Sequence, residues 1–205
     1  MLSQLAFAVL AAPLLGRISP AVHLRPWLLI LAAVVVAVQM TTYARVVVSM
    51  ASTGRMQDFA QFYSDARAAV FEHRNPYERR LAPTTSDTLT RVNLNPPHFL
   101  LLVAPLAVLE PRPAYVVWMV LSLISAAAAL GVILREVNVG ATSLAGAIII
   151  GAVFASAPTG ALIISAQVSW LLWWPFCWSW SEAARGRWTS AGVVLGVLAS
   201  LKPFL

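Results

Sequence analysis

The sequence predicts an all-α integral membrane protein, a multispan helical bundle with one long extracytoplasmic loop that carries amphipathic interfacial helices. Its 205 residues are 60% apolar and only 11% charged, and the mean hydropathy is +0.77. Soluble domains are about 45–50% apolar and about 25% charged. The chain has too few polar side chains to cover the surface of a soluble protein. Its single cysteine cannot form an internal disulfide. A cytosolic enzyme, a disordered chain and a disulfide scaffold are therefore excluded.

Five apolar stretches have lengths suited to membrane or near-membrane helices, because the hydrocarbon core of a bilayer needs about 20 helical residues. They cover residues 27–44, 114–134, 143–165, 167–180 and 188–205. Arg45 follows the first stretch, while Pro158 and Gly160 interrupt the third. The stretch 167–180 is rich in tryptophan, which is typical of an interfacial aromatic belt, although a platform for stacking sugars is an alternative.

Two further apolar segments are ambiguous. Residues 1–15 lack the positive region of a signal peptide, so we interpret 1–26 as a cytoplasmic or interfacial segment that precedes a membrane domain over 27–205. Residues 97–109 would form a helix of about 20 Å, which suits either a thin crossing or a re-entrant element.

The distribution of basic residues predicts how the chain is oriented in the membrane and does not indicate a nucleic-acid-binding surface. The net charge is +6, yet the arginines lie between the apolar stretches instead of along one face. Arg17 and Arg25 precede the first span, and Arg185 and Arg187 separate the last two. Because cytoplasmic loops are enriched in Lys and Arg, these residues predict that the loop 51–95 is extracytoplasmic, provided that one ambiguous segment does not cross. No nucleic-acid partner is expected.

The loop 51–95 contains half of the charged residues of the chain and is where we expect the chemistry. Residues 57–71 have helical periodicity, since Phe59, Tyr63, Ala66 and Val70 share one face. The Asn-Pro-Tyr sequence at 75–77 then ends this helix. The pattern predicts an amphipathic helix at the membrane surface.

The order of several short motifs resembles glycosyltransferase family 87, a mannosyltransferase-like branch of the C-type membrane glycosyltransferases. The motifs are DFAQFYSDARAA from residue 58, the NPY turn, NPPHFLLLVAPL from residue 95, AQVS from residue 166 and AGVVLGVLASLKP from residue 191. Members commonly have Gly-Gln where this chain has Ala166-Gln167. They are also longer, so 27–205 is expected to be the truncated N-terminal half of such an enzyme.

The resemblance implies a membrane enzyme that transfers mannose, or a similar hexose or pentose, with inversion at the donor carbon. The excess of arginine over lysine and the high alanine content are typical of a GC-rich bacterial genome, so a bacterial plasma membrane is expected. The donor would be a polyprenyl-phosphate sugar, and the acceptor would be a cell-envelope glycolipid or glycan, as in lipoglycan biosynthesis. No cofactor is implied. Composition alone leaves two other classes open, a transporter fragment and a non-catalytic membrane subunit.

Asp58 is the expected general base, which would take the proton of the acceptor hydroxyl as its oxygen attacks the anomeric carbon. It lies just after the first span, near a helix N-terminus and near Arg55, and both features would keep the carboxylate ionised. The alternative is that Asp58 only caps the helix that starts at Gln57.

Seven residues are candidate substrate ligands, each with a simpler structural role as its alternative. Arginines could bind phosphate or be solvated, and Asp65 could be a solvated partner of Arg67 or Arg74. Intramembrane polar residues tend to face a cavity or a partner helix, and Lys202 could instead snorkel to an interface. The candidates are Arg55, Tyr63, Asp65, Asn95, His98, Gln167 and Lys202. No metal is predicted, because the chain has no D-x-D pair and no second histidine at a ligand spacing from His98.

Overall fold

The computed structural model describes residues 26–54, 56–77 and 95–202. These residues form eight α-helices and one 3-10 helix, Ala104–Val108, which confirms the all-α class. The helices are α1 Pro26–Thr53, α2 Gln57–Val70, α3 Pro97–Val103, α4 Pro111–Glu136, α5 Leu144–Ala155, α6 Ala157–Ser165, α7 Ser169–Ala184 and α8 Trp188–Leu201. The predicted N-terminal segment, Arg55 and residues 78–94 of the predicted loop lie outside the described residues.

Two helices are long and apolar enough to cross a membrane, Leu29–Thr53 of α1 and Pro111–Glu136 of α4. A third crossing is possible if α5 and α6 form one span, because Leu144–Ala155 and Pro158–Ser165 meet at a bend of 52°. The bend is where Pro158 was expected to interrupt the apolar stretch. Proline removes a backbone donor and clashes with the preceding turn, so the helix breaks there.

Two predicted boundaries differ from the structure. Helix α1 does not end at Arg45 but continues to Thr53, because the three valines at 46–48 and Met50 extend the apolar helix past one exposed arginine. The stretch 97–109 forms α3 and the 3-10 helix, an apolar segment of 12 residues over Pro97–Val108. This is too short to qualify as a spanning helix, and its buried residues include Phe99, Leu100 and Val103.

Helix α2 has the predicted amphipathic face. Phe59, Tyr63 and Ala66 are buried and Val70 is half-buried, as the four-three-four spacing requires. Phe59 packs against the rings of Tyr115 and Trp118 in α4, with centroid distances of 5.5 and 5.7 Å. This aromatic contact fixes α2 against the N-terminal part of α4.

Helices α4 and α7 run parallel and are joined by side-chain hydrogen bonds at several levels. The hydroxyl of Ser125 donates to the carbonyl of Leu171 at 2.8 Å. That carbonyl would normally accept from residue 175, but Pro175 has no N–H to offer. Ser125 therefore satisfies a carbonyl that the proline leaves free inside the bundle.

The tryptophan-rich stretch is divided between core and surface. Trp170 and Trp173 are only 4% and 3% exposed, and the ring of Trp170 packs against Phe154 of α5. Trp174 is exposed. The interpretation as an interfacial belt is therefore wrong for Trp170 and Trp173, because the face that they share turns towards the neighbouring helices.

Candidate active site

Asp58 lies in the first turn of α2 and is half-buried. The N-cap residue of this helix is Met56, which makes no side-chain capping bond. Oδ2 of Asp58 instead accepts a hydrogen bond from Nε2 of Gln167 at 2.7 Å. The carboxylate therefore contacts a residue 109 positions away in the chain, which a purely local capping role would not require.

Gln167 is presented by the break between α6 and α7. Ala166 has a left-handed backbone, with φ 53° and ψ 42°. The N–H of Ala166 donates to the carbonyl of Ile163, and the N–H of Gln167 donates to that of Leu162, both at 3.2 Å. This is the Schellman pattern that ends helices. Trp118 of α4 holds the same turn by donating from Nε1 to the carbonyl of Ala166 at 3.1 Å.

The left-handed backbone of Ala166 is a conformation that favours glycine. Glycine adopts positive φ without steric cost, whereas a Cβ at this position is strained. Ala166 adopts this conformation although it has a Cβ. The Ala166-Gln167 dipeptide thus ends α6 and directs the side chain of Gln167 towards Asp58.

Lys202 completes the cluster from the C-terminal end of α8. Its Nζ donates to Oε1 of Gln167 at 3.1 Å and to Oγ of Ser169 at 2.6 Å. Three candidates from separate parts of the chain, Asp58, Gln167 and Lys202, are thus joined in one hydrogen-bonded row. In the described residues the carboxylate and the ammonium form no direct ion pair, because the glutamine amide lies between them.

Tyr63 and Asp65 lie deeper in the packing of α2. The hydroxyl of Tyr63 donates to the carbonyl of Leu109 at 2.7 Å and accepts from Nη1 of Arg67 at 3.1 Å. Asp65 is only 7% exposed, so the interpretation of it as a solvated ion-pair partner is wrong. Arg67 and Arg74 pair with Glu72.

Asn95 and His98 border the cluster on the side of α3. Nε2 of His98 lies 2.6 Å from the carbonyl oxygen of Ser200, two residues before Lys202. The hydroxyl of Tyr77 donates to the carbonyl of Asn95 at 2.8 Å. Burial, together with the charge of Asp65, raises the pKa of Tyr77, so this phenol remains a protonated donor.

Sequence reasoning overlooked two residues of this region. Ser169 is the last residue of the AQVS motif and contacts Lys202 directly, so the motif itself contained the signal. Tyr77 ends the NPY turn, where the Oδ1 of Asn75 accepts from its N–H at 3.0 Å. The turn was recognised as a helix terminator, whereas its contact with Asn95 depends on the tertiary fold.

An apolar cleft of about 900 Å³ opens beside Lys202. Helices α4, α7 and α8 form its walls together with the segment that contains α3. Its lining includes Leu201, the neighbour of Lys202, together with Leu121, Leu172 and Val197. A long hydrocarbon chain could lie here with its polar end at the cluster.

A comparison with known protein families gives a match. The family model for glycosyltransferase family 87 matches residues 93–205, a range that contains Asn95, His98, Gln167 and Lys202 and begins after Asp58. The chain has no significant match among curated proteins or among solved structures. The matched range is more than half of the chain and includes two of the three residues in the hydrogen-bonded row. The chain therefore belongs to glycosyltransferase family 87, a family of membrane glycosyltransferases.

Proposed function

We propose that this protein transfers mannose, or a similar hexose or pentose, from a polyprenyl-phosphate donor to a cell-envelope glycolipid or glycan. The observation that carries the proposal is the row formed by Asp58, Gln167 and Lys202. It places a carboxylate and a cation in one half-buried site without letting them neutralise each other. Family membership favours this enzyme over a transporter fragment or a non-catalytic subunit.

In the proposed reaction, Asp58 is the general base. The acceptor hydroxyl gives its proton to the carboxylate while its oxygen forms a bond to the anomeric carbon of the donor. The bond between that carbon and the phosphate oxygen breaks on the opposite face, so the configuration inverts. The bond from Gln167 holds Oδ2 of Asp58, which leaves Oδ1 to receive the proton.

Lys202 is the proposed ligand of the departing phosphate, with His98 on the neighbouring segment. An ammonium that is held by two neutral oxygens keeps its charge available for a phosphate. The apolar cleft beside Leu201 suits the polyprenyl chain of the same donor. Tyr63, Asp65 and Asn95 remain candidate sugar ligands of the surrounding shell, as does Arg55, for which we propose a phosphate contact.

The two ends of the bundle support the proposed orientation. Arg135, Arg185 and Arg187 lie at the end of α4 and α7 that is opposite Asp58. By the positive-inside rule this arginine-rich end is cytoplasmic, which supports an extracytoplasmic site in a bacterial plasma membrane. An extracytoplasmic site is consistent with the proposed lipid-linked sugar donor.

The test is Asp58→Asn in membranes that contain the full chain, with radiolabelled polyprenyl-phosphate mannose as donor and membrane lipid and glycan as acceptors. Asparagine has the same shape and can still accept from Gln167, but it cannot take a proton. We expect transfer to fall by about 10²- to 10⁴-fold, the contribution typical of a general base.

The matched control is Glu72→Gln, which removes an exposed carboxylate just after α2 that pairs with Arg67 and Arg74. This variant is expected to transfer normally. If Asp58→Asn inserts into the membrane and transfers as well as the unmodified protein, Asp58 is not the base.

A further inference from the structure

A second groove lies on the other flank of α4, between α4 and α1. It has a volume of about 520 Å³, and its walls are mainly apolar. Val116 and Val120 of α4 line it and are 45% and 49% exposed. The polar groups of the lining are Tyr43, Ser52 and Arg112.

The length of this groove matches one leaflet of a bilayer. The lining residues of α4 run from Arg112 to Leu123, which corresponds to about 17 Å of helix. The hydrocarbon core of a bilayer is about 30 Å thick, so one leaflet contributes about half of that. A single acyl chain that enters from one membrane surface would therefore fill the groove.

The charge of the groove is confined to one end. Arg112 lies at the N-terminal end of α4, where its Nη2 is 3.4 Å from the carbonyl oxygen of Ser52. In the part of the chain that the structure describes, Arg112 forms no ion pair with a carboxylate, although Glu110 is two residues away. The guanidinium can therefore bind a phosphate at the mouth of an apolar channel.

We propose that the groove between α1 and α4 binds an anionic phospholipid, with one acyl chain along Val116 and Val120 and the phosphate at Arg112. The mouth lies at the same end of the bundle as Asp58, since Tyr115 of α4 packs against Phe59 of α2 at 5.5 Å. The site is separate from the cleft beside Lys202, and the binding requires no sugar transfer.

The test is native mass spectrometry of the full chain after incubation in mixed micelles that contain equal amounts of phosphatidylglycerol and phosphatidylcholine. We expect the unmodified protein to retain phosphatidylglycerol preferentially. Arg112→Gln should lower that preference about fivefold, the effect of one basic residue near an anionic membrane surface. Val120→Trp should reduce the retention of both lipids, because the indole would occupy the groove.

Two matched controls separate this site from general effects. Arg74→Gln removes the same charge from the turn after α2, where Arg74 pairs with Glu72. Val117→Trp adds the same indole to an exposed position of α4 that does not line the groove. Both should retain lipid as the unmodified protein does. Unchanged lipid preference in Arg112→Gln, or unchanged retention in Val120→Trp, would overturn the proposal.

Discussion

The two ends of the helix bundle use polar residues in opposite ways. At one end, Asp58 and Lys202 both contact Gln167, a neutral amide. At the other end, Glu182 accepts hydrogen bonds from Nε of Arg187 at 2.6 Å and from Ser190 at 3.0 Å. Glu136 there contacts Ser181 at 2.7 Å and pairs with Arg135 and Arg185.

This difference distinguishes the candidate active site at the Asp58 end from a structural clamp at the arginine-rich end. At the arginine-rich end each carboxylate pairs with guanidinium groups, and these contacts join α4, α7 and the start of α8. At the Asp58 end the opposite charges are close but held apart by an amide. A partly buried charge that contacts only neutral groups lowers the stability of the fold, because its loss of hydration is not fully compensated. The same charge can bind an oppositely charged group of a substrate.

After Asp58→Asn, the largest expected effect at the Asp58 end comes from Lys202→Met, which removes the cation and shortens the side chain by only one heavy atom. Hydrogen bonds to charged groups contribute about 1.5–3 kcal/mol, so kcat/KM for the lipid-linked donor should fall about 10- to 100-fold. The measurement is the initial rate of sugar transfer as a function of donor concentration.

Lys202→Arg is the control for this change, since it retains the charge and should keep most of the activity. Lys202 is the only lysine of the chain, so reductive methylation with a ¹³C label also gives a side-chain NMR signal for this site. That signal should shift when donor is added. A normal kcat/KM in Lys202→Met would show that this cation does not bind the phosphate.

Gln167→Glu tests whether the neutral amide matters, and we expect a smaller loss of about tenfold at neutral pH. The new carboxylate would lie beside Asp58, and a nearby like charge raises the pKa of a carboxyl group. Because the base must be ionised, the acidic limb of the pH profile of kcat/KM should move to higher pH.

Asn138→Asp is the matched change at the opposite end of α4, where the side chain is exposed. It should leave the pH profile in place. A tenfold loss in Gln167→Glu without a shift of the profile would mean that Gln167 only supports the fold and does not tune the base.

Glu182→Gln should affect stability rather than transfer. Hydrogen bonding from Arg187 lowers the pKa of Glu182, so the contact stabilises the fold above the ordinary pKa of a glutamate and is lost as the pH falls through the lowered value. The unmodified protein should thus melt at lower temperature below about pH 4, and Glu182→Gln should lack part of that dependence.

The measurement is thermal unfolding followed by tryptophan fluorescence, alongside the rate of sugar transfer at neutral pH. Glu72→Gln is the control, because exposed ion pairs contribute little to stability. If Glu182→Gln melts as the unmodified protein does at every pH, the arginine-rich end is not a clamp.

Ala166→Gly should give the smallest effect, a gain of about 0.5–1 kcal/mol in the free energy of unfolding, because glycine relieves the positive φ that holds Gln167 in place. Ala161→Gly removes the same methyl group from an exposed position inside α6, where it should instead destabilise the protein by up to about 1 kcal/mol. Equal effects in chemical denaturation would contradict the strain at Ala166.

Much of the fold could be predicted because it depends on local spacing. Apolar length identified the candidate membrane spans in α1 and α4, and Pro158 marked the bend between α5 and α6. The spacing from Phe59 to Val70 identified the buried face of α2. The motifs also identified the family. These features follow from helical periodicity and from the chemistry of proline, which neighbouring residues determine.

Only the tertiary structure decided which polar residues meet. Asp58 and Gln167 are 109 residues apart, and Gln167 and Lys202 are 35 apart, so no local pattern relates them. The same holds for Trp170 and Trp173, whose composition suggests a membrane interface although packing buries them. Sequence by itself determined which residues could act and which segments form helices. The contacts between helices decided which of those residues share a site, because they depend on how distant segments pack.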